Sequence, residues 1–244
     1  MSIPFSVIIP ARYASTRLPG KPLLDINGKP LIQHVFETAK ATQAKNIYIA
    51  TDDDRVANTA LSFGANVVMT SPEHQSGTDR LAEVVEKNKI SDDEIIVNLQ
   101  GDEFGLPVEL INQVATNLYE HPDMQVATLC EVINNIEDYS NPNIVKVVFD
   151  INNTAIYFSR SPVPANRSGG LPEQVYRHIG LYAYRAGYLK EFTRLDPCVI
   201  EQSEALEQLR VLYYGGKIHV AIAIAETGTG IDTTDDLELA RSKV

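Results

Sequence analysis

The chain has 244 residues, 44% of them hydrophobic, and a net charge of -11 at pH 7. That length can bury one good core, and the acid excess excludes a general nucleic-acid or anionic-membrane binder, because both need a positive field. No apolar run approaches the roughly 20 residues that span a bilayer, the start lacks a secretory-signal pattern, and Cys130 and Cys198 spell neither a disulfide framework nor a metal pair. The expected setting is the cytoplasm, with both thiols simply buried.

Phe5-Ser-Val-Ile-Ile-Pro10 is a short β-branched run and predicts a buried strand, followed by a long loop through Lys29. Pro30 then opens a helix whose apolar face is Leu31, Ile32, Val35, Phe36 and Ala39. A strand at 46–51 and a helix that starts at Asp52 to Asp54 and closes at Gly64 follow. The alternation continues with a strand at 66–70, a helix at 78–88, a strand at 94–99 and a helix at 107–120. Strands alternating with helices at this spacing predict a parallel sheet with right-handed crossovers.

Beyond residue 120 the pattern shifts to strands at 126–132, 144–149 and 154–159, with a turn at 150–153. Residues 165–173, rich in Ser, Gly, Pro and Asn, predict a surface loop. Helices are expected near Leu189, at 201–214 and at 234–243, with a strand at 217–224. One α/β domain spanning 1–244, with an inserted β-arm at about 125–185, fits both length and pattern.

In an open parallel sheet, ligands bind beyond the carboxyl ends of the strands. The loop after the first strand carries Arg12, Arg17, Lys21, hydroxyls and Gly20, and residues 1–30 hold four basic side chains against Asp25 alone, a net of +3. Such a loop suits a chain of phosphates better than plain solvation, although it lacks the Walker pattern. The segment Leu99-Gln-Gly-Asp-Glu103 delivers Asp102 from a buried strand, a carboxylate suited to Mg²⁺. Asp232 offers a second one before the last helix.

Other acids have structural explanations, with Asp235 and Asp236 answering a helix dipole and Asp52, Asp53 and Asp54 reading as caps. Ser76-Gly-Thr-Asp-Arg80 is a small-residue turn that admits a flat base. Residues 157–164, 177–184 and 204–210 gather arginine, tyrosine, histidine and amide groups of the kind that bind a polyhydroxylated acid. The plain alternative for Glu207 and Arg210 is a surface pair at i, i+3, and for the histidines a structural role.

Together, IIPARYASTRLPGKPL at 8–23, ATDDDRV at 50–56, HQSGTDRLAEV at 74–84, NLQGDE at 98–103, YFSRSPVP at 157–164, RHIGLYAYRA at 177–186, LEQLR at 206–210 and GIDT at 230–233 carry a resemblance over essentially the whole chain. The chain resembles the CMP-Kdo synthetases, the 3-deoxy-manno-octulosonate (Kdo) cytidylyltransferases of lipopolysaccharide synthesis. The resemblance implies a Rossmann-like nucleotide-diphospho-sugar transferase fold with a mixed, mainly parallel sheet, a homodimer, Mg²⁺ as cofactor, and CTP and Kdo as substrates. It further implies that Arg12 and Lys21 bind triphosphate and that Ala11, Ser76, Gly77 and Arg80 line the cytidine pocket. Gln100 would lie near the nucleotide, Asp102 and Asp232 would hold metal, and Arg160, His178, Tyr182, Tyr184, Glu207 and Gln208 would line the sugar site. No stable membrane association and no nucleic-acid partner are implied.

The implied chemistry is in-line attack of the anomeric hydroxyl on the α-phosphorus of CTP with loss of pyrophosphate, which needs no covalent nucleophile and no obligatory histidine base. Two departures bear on the acceptor. Phe104-Gly-Leu106 replaces a proline and aliphatic pair, and Ala165 stands where the family has an aromatic. An 8-amino-Kdo or another sugar acid therefore stays open as acceptor. A metal-dependent glycosyltransferase using Asp52 to Asp54 is a further alternative, which the triphosphate-type first loop disfavours. A noncatalytic nucleotide-binding module is disfavoured by the Asp102 and Asp232 pair.

Overall fold

The computed structural model describes residues 3–14, 18–228, 230–231 and 233–242. Its first half follows the predicted alternation: β1 (Phe5–Pro10), the small hairpin β2 (Asp25–Ile26) and β3 (Lys29–Pro30), α1 (Leu31–Lys40), β4 (Asn46–Thr51), α2 (Asp54–Ser62), β5 (Asn66–Met69), α3 (Gly77–Lys87), β6 (Ile95–Asn98) and α4 (Val108–Glu120). The second half runs β7 (Val126–Val132), α5 (Ile136–Ser140), β8 (Lys146–Phe149), β9 (Ala155–Ser159) and β10 (Tyr176–Arg185). It closes with α6 (Ala186–Phe192), α7 (Val199–Glu204), α8 (Gln208–Tyr213), β11 (Ile218–Ile222) and α9 (Thr234–Ser242).

Among the described residues one nine-stranded sheet has the order β11-β7-β10-β6-β1-β4-β5, with β8 and β9 off this path. β1 pairs parallel to β4 and β6, and β11 parallel to β7, whereas β10 runs antiparallel between β6 and β7. Because side chains alternate across a strand, Val7 and Ile9 of β1 join the core with α1, α2 and α4. Ile8 joins the opposite core with α3, α6 and α8. Both sheet faces are thus covered, which explains why β1 reads as an unbroken apolar run and is buried throughout.

The segment 125–185 divides in the structure. β7 and β10 are built into the main sheet, and the antiparallel hairpin β8–β9 projects from it, with β8 pairing to the start of β10. The ten-residue strand β10 spans Tyr176 to Arg185, where the sequence predicts arginine, tyrosine and histidine at strand ends but no strand of its own. The helix expected at 201–214 is two helices, broken where Ala205 adopts the left-handed conformation at φ 51° and ψ 49°. Residues 25–29, expected as loop, form the β2–β3 hairpin together with Pro30.

Candidate active site

The carboxyl ends of β1 and β6 lie side by side, with Ile8 in register with Asn98 and the Leu99 amide donating to Ile8 O at 3.1 Å. The following Gly101 passes so close to the first loop that a Cβ there would sit 2.8 Å from Pro10 O. That close approach is why the turn needs glycine. It lets Lys21 Nζ donate to Asp102 Oδ2 at 2.7 Å. Lys21 is nearly buried while the Asp102 side chain is 40% exposed, so the carboxylate is open to solvent. Arg12 Nη2 donates to His74 O at 2.8 Å, which ties the same loop to the approach to α3.

Ser76 caps α3 in a reciprocal capping box, its hydroxyl accepting from the Asp79 amide at 3.1 Å and its amide donating to Asp79 Oδ2 at 3.0 Å. Gly77 faces β1 and β6, since a Cβ at that position would meet Pro10 Cγ at 3.5 Å and Gln100 Oε1 at 3.8 Å. Ala11 is buried beside this turn, its amide bonded to Ala50 O at 2.8 Å. Gln100 is oriented by a 3.2 Å bond from Nε2 to Asn98 Oδ1. Ala11, Ser76, Gly77 and Gln100 therefore surround the ends of β1 and β6.

Arg80 is fully buried and its guanidinium is engaged by Thr70 Oγ1 and, at 3.1 Å, by Asp52 Oδ2. This corrects the reading of Asp52 as a cap, because the cap of α2 is Asp53, which accepts from the Arg55 amide at 2.9 Å. Arg55 in turn lies over the Tyr13 ring, 3.3 Å from its centroid.

Of the residues expected at the sugar site, His178, Tyr182 and Tyr184 lie on β10, Glu207 and Gln208 at the start of α8, and Arg160 just after β9. Tyr182 is in register with Asn98, placing β10 directly beside β6. The register shifts between Ile179 and Tyr182, and Thr128 Oγ1 sits 3.0 Å from His178 Nε2, 3.0 Å from Ile179 O and 2.8 Å from Leu181 O. The rings of His178 and Tyr182 are 5.2 Å apart, and those of Tyr182 and Tyr184 5.8 Å. Burial pushes the His178 imidazole down to about 3, so it is neutral, and raises both tyrosines.

Burial likewise raises Glu207 above the ordinary carboxylate range, opposed by the Thr78 side chain, which lies within hydrogen-bonding reach of Glu207 and Tyr184. Glu207 is thereby held against the start of α3, and Gln208 is buried next to it. The surface-pair reading of Glu207 and Arg210 does not hold: Arg210 is tied to Glu201 by an Nε to Oε2 bond of 2.8 Å and lies 4.8 Å from the Phe192 ring centroid. Arg160 is engaged with backbone, its Nε donating to Glu204 O at 2.6 Å, Nη1 to Pro142 O at 3.1 Å and Nη2 to Ala205 O at 3.4 Å.

Asp232 lies outside the described residues. Its neighbour Ile231 donates through its amide to Asp102 O at 3.1 Å, and a Cβ on Gly228 would fall 2.9 Å from Gly105 O. The C-terminal segment is thus laid along the loop that carries Asp102. Asp236 exchanges hydrogen bonds with Thr233 at the start of α9, in keeping with its expected structural role. Among the described residues no group of three or more His, Cys, Asp or Glu side chains is arranged for a metal. One exposed hard-oxygen ligand at a strand end nevertheless fits Mg²⁺, which takes few carboxylates and fills its shell with water and phosphate oxygens.

Sequence reasoning missed the individual roles of Asn98, Thr78 and Asp52 in this framework. Asn98, the polar end of an otherwise apolar strand, was the one visible signal among them.

A cytidylyltransferase family model matches residues 6–218. The chain is 51% identical over 246 residues to the 3-deoxy-manno-octulosonate cytidylyltransferase of Hahella chejuensis, covering 98% of this chain and 96% of that one. It is 52% identical to the protein of the same name from Pasteurella multocida, covering 98% and 97%. A solved structure of CMP:2-keto-3-deoxy-manno-octonic acid synthetase complexed with CTP matches with a TM-score of 0.91 at 42% identity, covering 98% of this chain and 97% of that one. A cytidylyltransferase from Leptospira borgpetersenii, at 17% identity and a TM-score of 0.61, shares the fold alone. The protein belongs to the cytidylyltransferases, and within them to the 3-deoxy-manno-octulosonate cytidylyltransferase family.

Proposed function

We propose that the protein transfers CMP from CTP to the anomeric hydroxyl of 3-deoxy-D-manno-octulosonate, forming CMP-Kdo and pyrophosphate for lipopolysaccharide synthesis. The observation that carries this reading is the junction of two half-sites. Lys21 and Asp102 meet beyond β1 and β6, and Tyr182, in register with Asn98 on the adjacent strand, opens the aromatic and carboxylate wall that ends in Glu207. A triphosphate on one half brings its α-phosphorus toward an acceptor on the other, so proximity and orientation supply much of the acceleration. The named relatives and the CTP-bound structural neighbour support the same assignment.

In this mechanism Lys21 and Arg12 balance the charge of the triphosphate. Ala11, Ser76, Gly77 and Gln100 enclose the cytosine and ribose, while Arg80 fixes the walls of that pocket through Asp52 and Thr70. Mg²⁺ is the proposed cofactor, with Asp102 and Asp232 as its protein ligands. When bound, the metal polarises phosphoryl oxygens and offsets their developing charge. Tyr182, Tyr184, Glu207 and Gln208 address the sugar hydroxyls. Neutral His178 supplies a donor or acceptor rather than a charge, and Arg160 supports the wall that faces the sugar carboxylate.

Attack is direct, with the bond to the sugar oxygen forming as the bond to pyrophosphate breaks. The protein is read as a single cytidylyltransferase domain acting as a cytoplasmic homodimer, with the β-arm at about 125–185 contributing to sugar binding and dimerisation. Among the described residues no helix is long and apolar enough to cross a membrane.

An 8-amino-Kdo acceptor is the second reading, kept open by the departure from the family pattern in the loop beside Asp102. There the Phe104 ring packs edge-on to His34 with centroids 5.3 Å apart, and Gly105 replaces the aliphatic side chain expected of the family. Pyrophosphate release measured with CTP alone, Kdo alone and both together tests the reaction class. Release that needs both supports the transfer. Equal release without the sugar acid contradicts it, and so does none with any sugar acid.

A further inference from the structure

Lys146 opens β8 and is fully buried. A buried ammonium must find acceptors, and Lys146 Nζ donates to Asn141 O at 2.9 Å, Ile144 O at 2.6 Å and Arg160 O at 2.6 Å. The last of these belongs to the residue that follows β9. Across from it Glu204, the final residue of α7, accepts from Ser159 Oγ at 2.7 Å and from the Arg160 amide at 2.8 Å, while Arg160 Nε donates back to Glu204 O at 2.6 Å. The projecting β8–β9 hairpin is therefore tied to the end of α7 by bonds that all pass through Ser159 and Arg160.

The next residue along is Ala205, in a left-handed conformation that L side chains rarely adopt. An unsupported alanine would leave that conformation. Arg160 Nη2 reaches the Ala205 carbonyl at 3.4 Å, and two residues later come Glu207 and Gln208, which the proposed function assigns to the sugar acid. Neither Lys146 nor Glu204 is among the residues read as touching a substrate.

We propose that Lys146 and Glu204 are positioning residues for the sugar-acid site: through Arg160 they hold the α7–α8 turn in the one backbone conformation that aims Glu207 and Gln208 at the acceptor. The inference rests on the site reading above. It assigns the hairpin a specific task in acceptor binding and none in CTP binding, because the proposed nucleotide residues sit in the loops after β1 and β6 and at the start of α3. Loosening the turn then lowers the affinity for the sugar acid while leaving the nucleotide half intact.

The test compares wild type with Glu204→Gln and Lys146→Met in steady-state kinetics with CTP and the sugar acid varied separately, alongside thermal unfolding and CTP titration. Glu204→Gln keeps shape but sets an amide against the Arg160 amide if the acceptor oxygen stays with Ser159. The expected result is a rise of about tenfold or more in KM for the sugar acid, with KM and Kd for CTP changed by less than about twofold. Parallel losses for both substrates, or an unchanged KM for the sugar acid in folded Glu204→Gln, would overturn the proposal. If Lys146→Met fails to fold, Glu204→Gln decides alone. A wild-type protein that turns over no sugar acid contradicts the reading of the site, whereas an active wild type with insensitive variants contradicts only the brace.

Discussion

Lys21 Nζ lies 2.7 Å from Asp102 Oδ2, joining the loop after β1 to the loop after β6 across the mouth of the sheet. In the proposed mechanism the pair holds the cation that meets the triphosphate in place before substrate arrives. Because the carboxylate is 40% exposed, the pair adds little to stability. Lys21→Met is therefore expected to weaken CTP binding while shifting Tm by no more than about 4 °C. Calorimetric titration with CTP and a melting curve on the same sample check both halves.

Asp102→Asn is expected to lower kcat by about 100-fold or more while the protein stays folded, since in the proposed mechanism the lost carboxylate charge holds the cation that offsets charge on the phosphoryl oxygens. Asp232→Asn is expected to do the same. Wild-type turnover by either variant at saturating Mg²⁺ would remove that residue from the mechanism.

Gly101→Ala tests the close approach that brings the pair together. Its Cβ would sit 2.8 Å from Pro10 O, backbone that has little room to yield. A loss of about 1–3 kcal/mol in unfolding free energy is expected, together with reduced turnover because Asp102 moves with the loop. Urea unfolding at fixed Mg²⁺, read beside the activity, checks it.

The neutral histidines give a pH prediction. Burial lowers His178 to about 3 and His219 to about 4, from an ordinary value near 6.5. Below pH 6.5 the unfolded chain binds protons that the folded chain refuses, so this contribution to stability is complete above 6.5 and is lost as pH falls toward those values. The urea midpoint of wild type should fall between pH 7 and pH 5, and His178→Gln should flatten that fall. The kcat profile over the same range should keep its shape in His178→Gln, because the imidazole carries no proton to lose.

Much of this architecture is legible in the sequence, for identifiable reasons. β1, β4 and β6 declare themselves because strands covered on both faces need continuous apolar runs, and the loops after them carry the charge that exposes the nucleotide half. β10 does not declare itself: Ile179, Leu181 and Ala183 alternate into the core, but charged, polar and aromatic residues interrupt them, and the pairing partners on β6 and β7 are 44 or more residues away. The break at Ala205 is equally silent, since no glycine or proline marks it and the support comes from Arg160, far off in sequence. Asp52 read as a cap because three aspartates precede a helix, and only the fold shows which one meets the buried Arg80. Lys21 and Asp102 were each legible as functional groups, but their contact was not, because it depends on adjacent parallel strands ending at the same level.

The most direct measurement is kcat/KM for pyrophosphate release across CTP and UTP with Kdo, 8-amino-Kdo and a sialic acid. The account predicts that CTP with Kdo gives the highest value, and that CTP exceeds UTP for every acceptor. A higher value for the sialic acid, or for UTP, would contradict it.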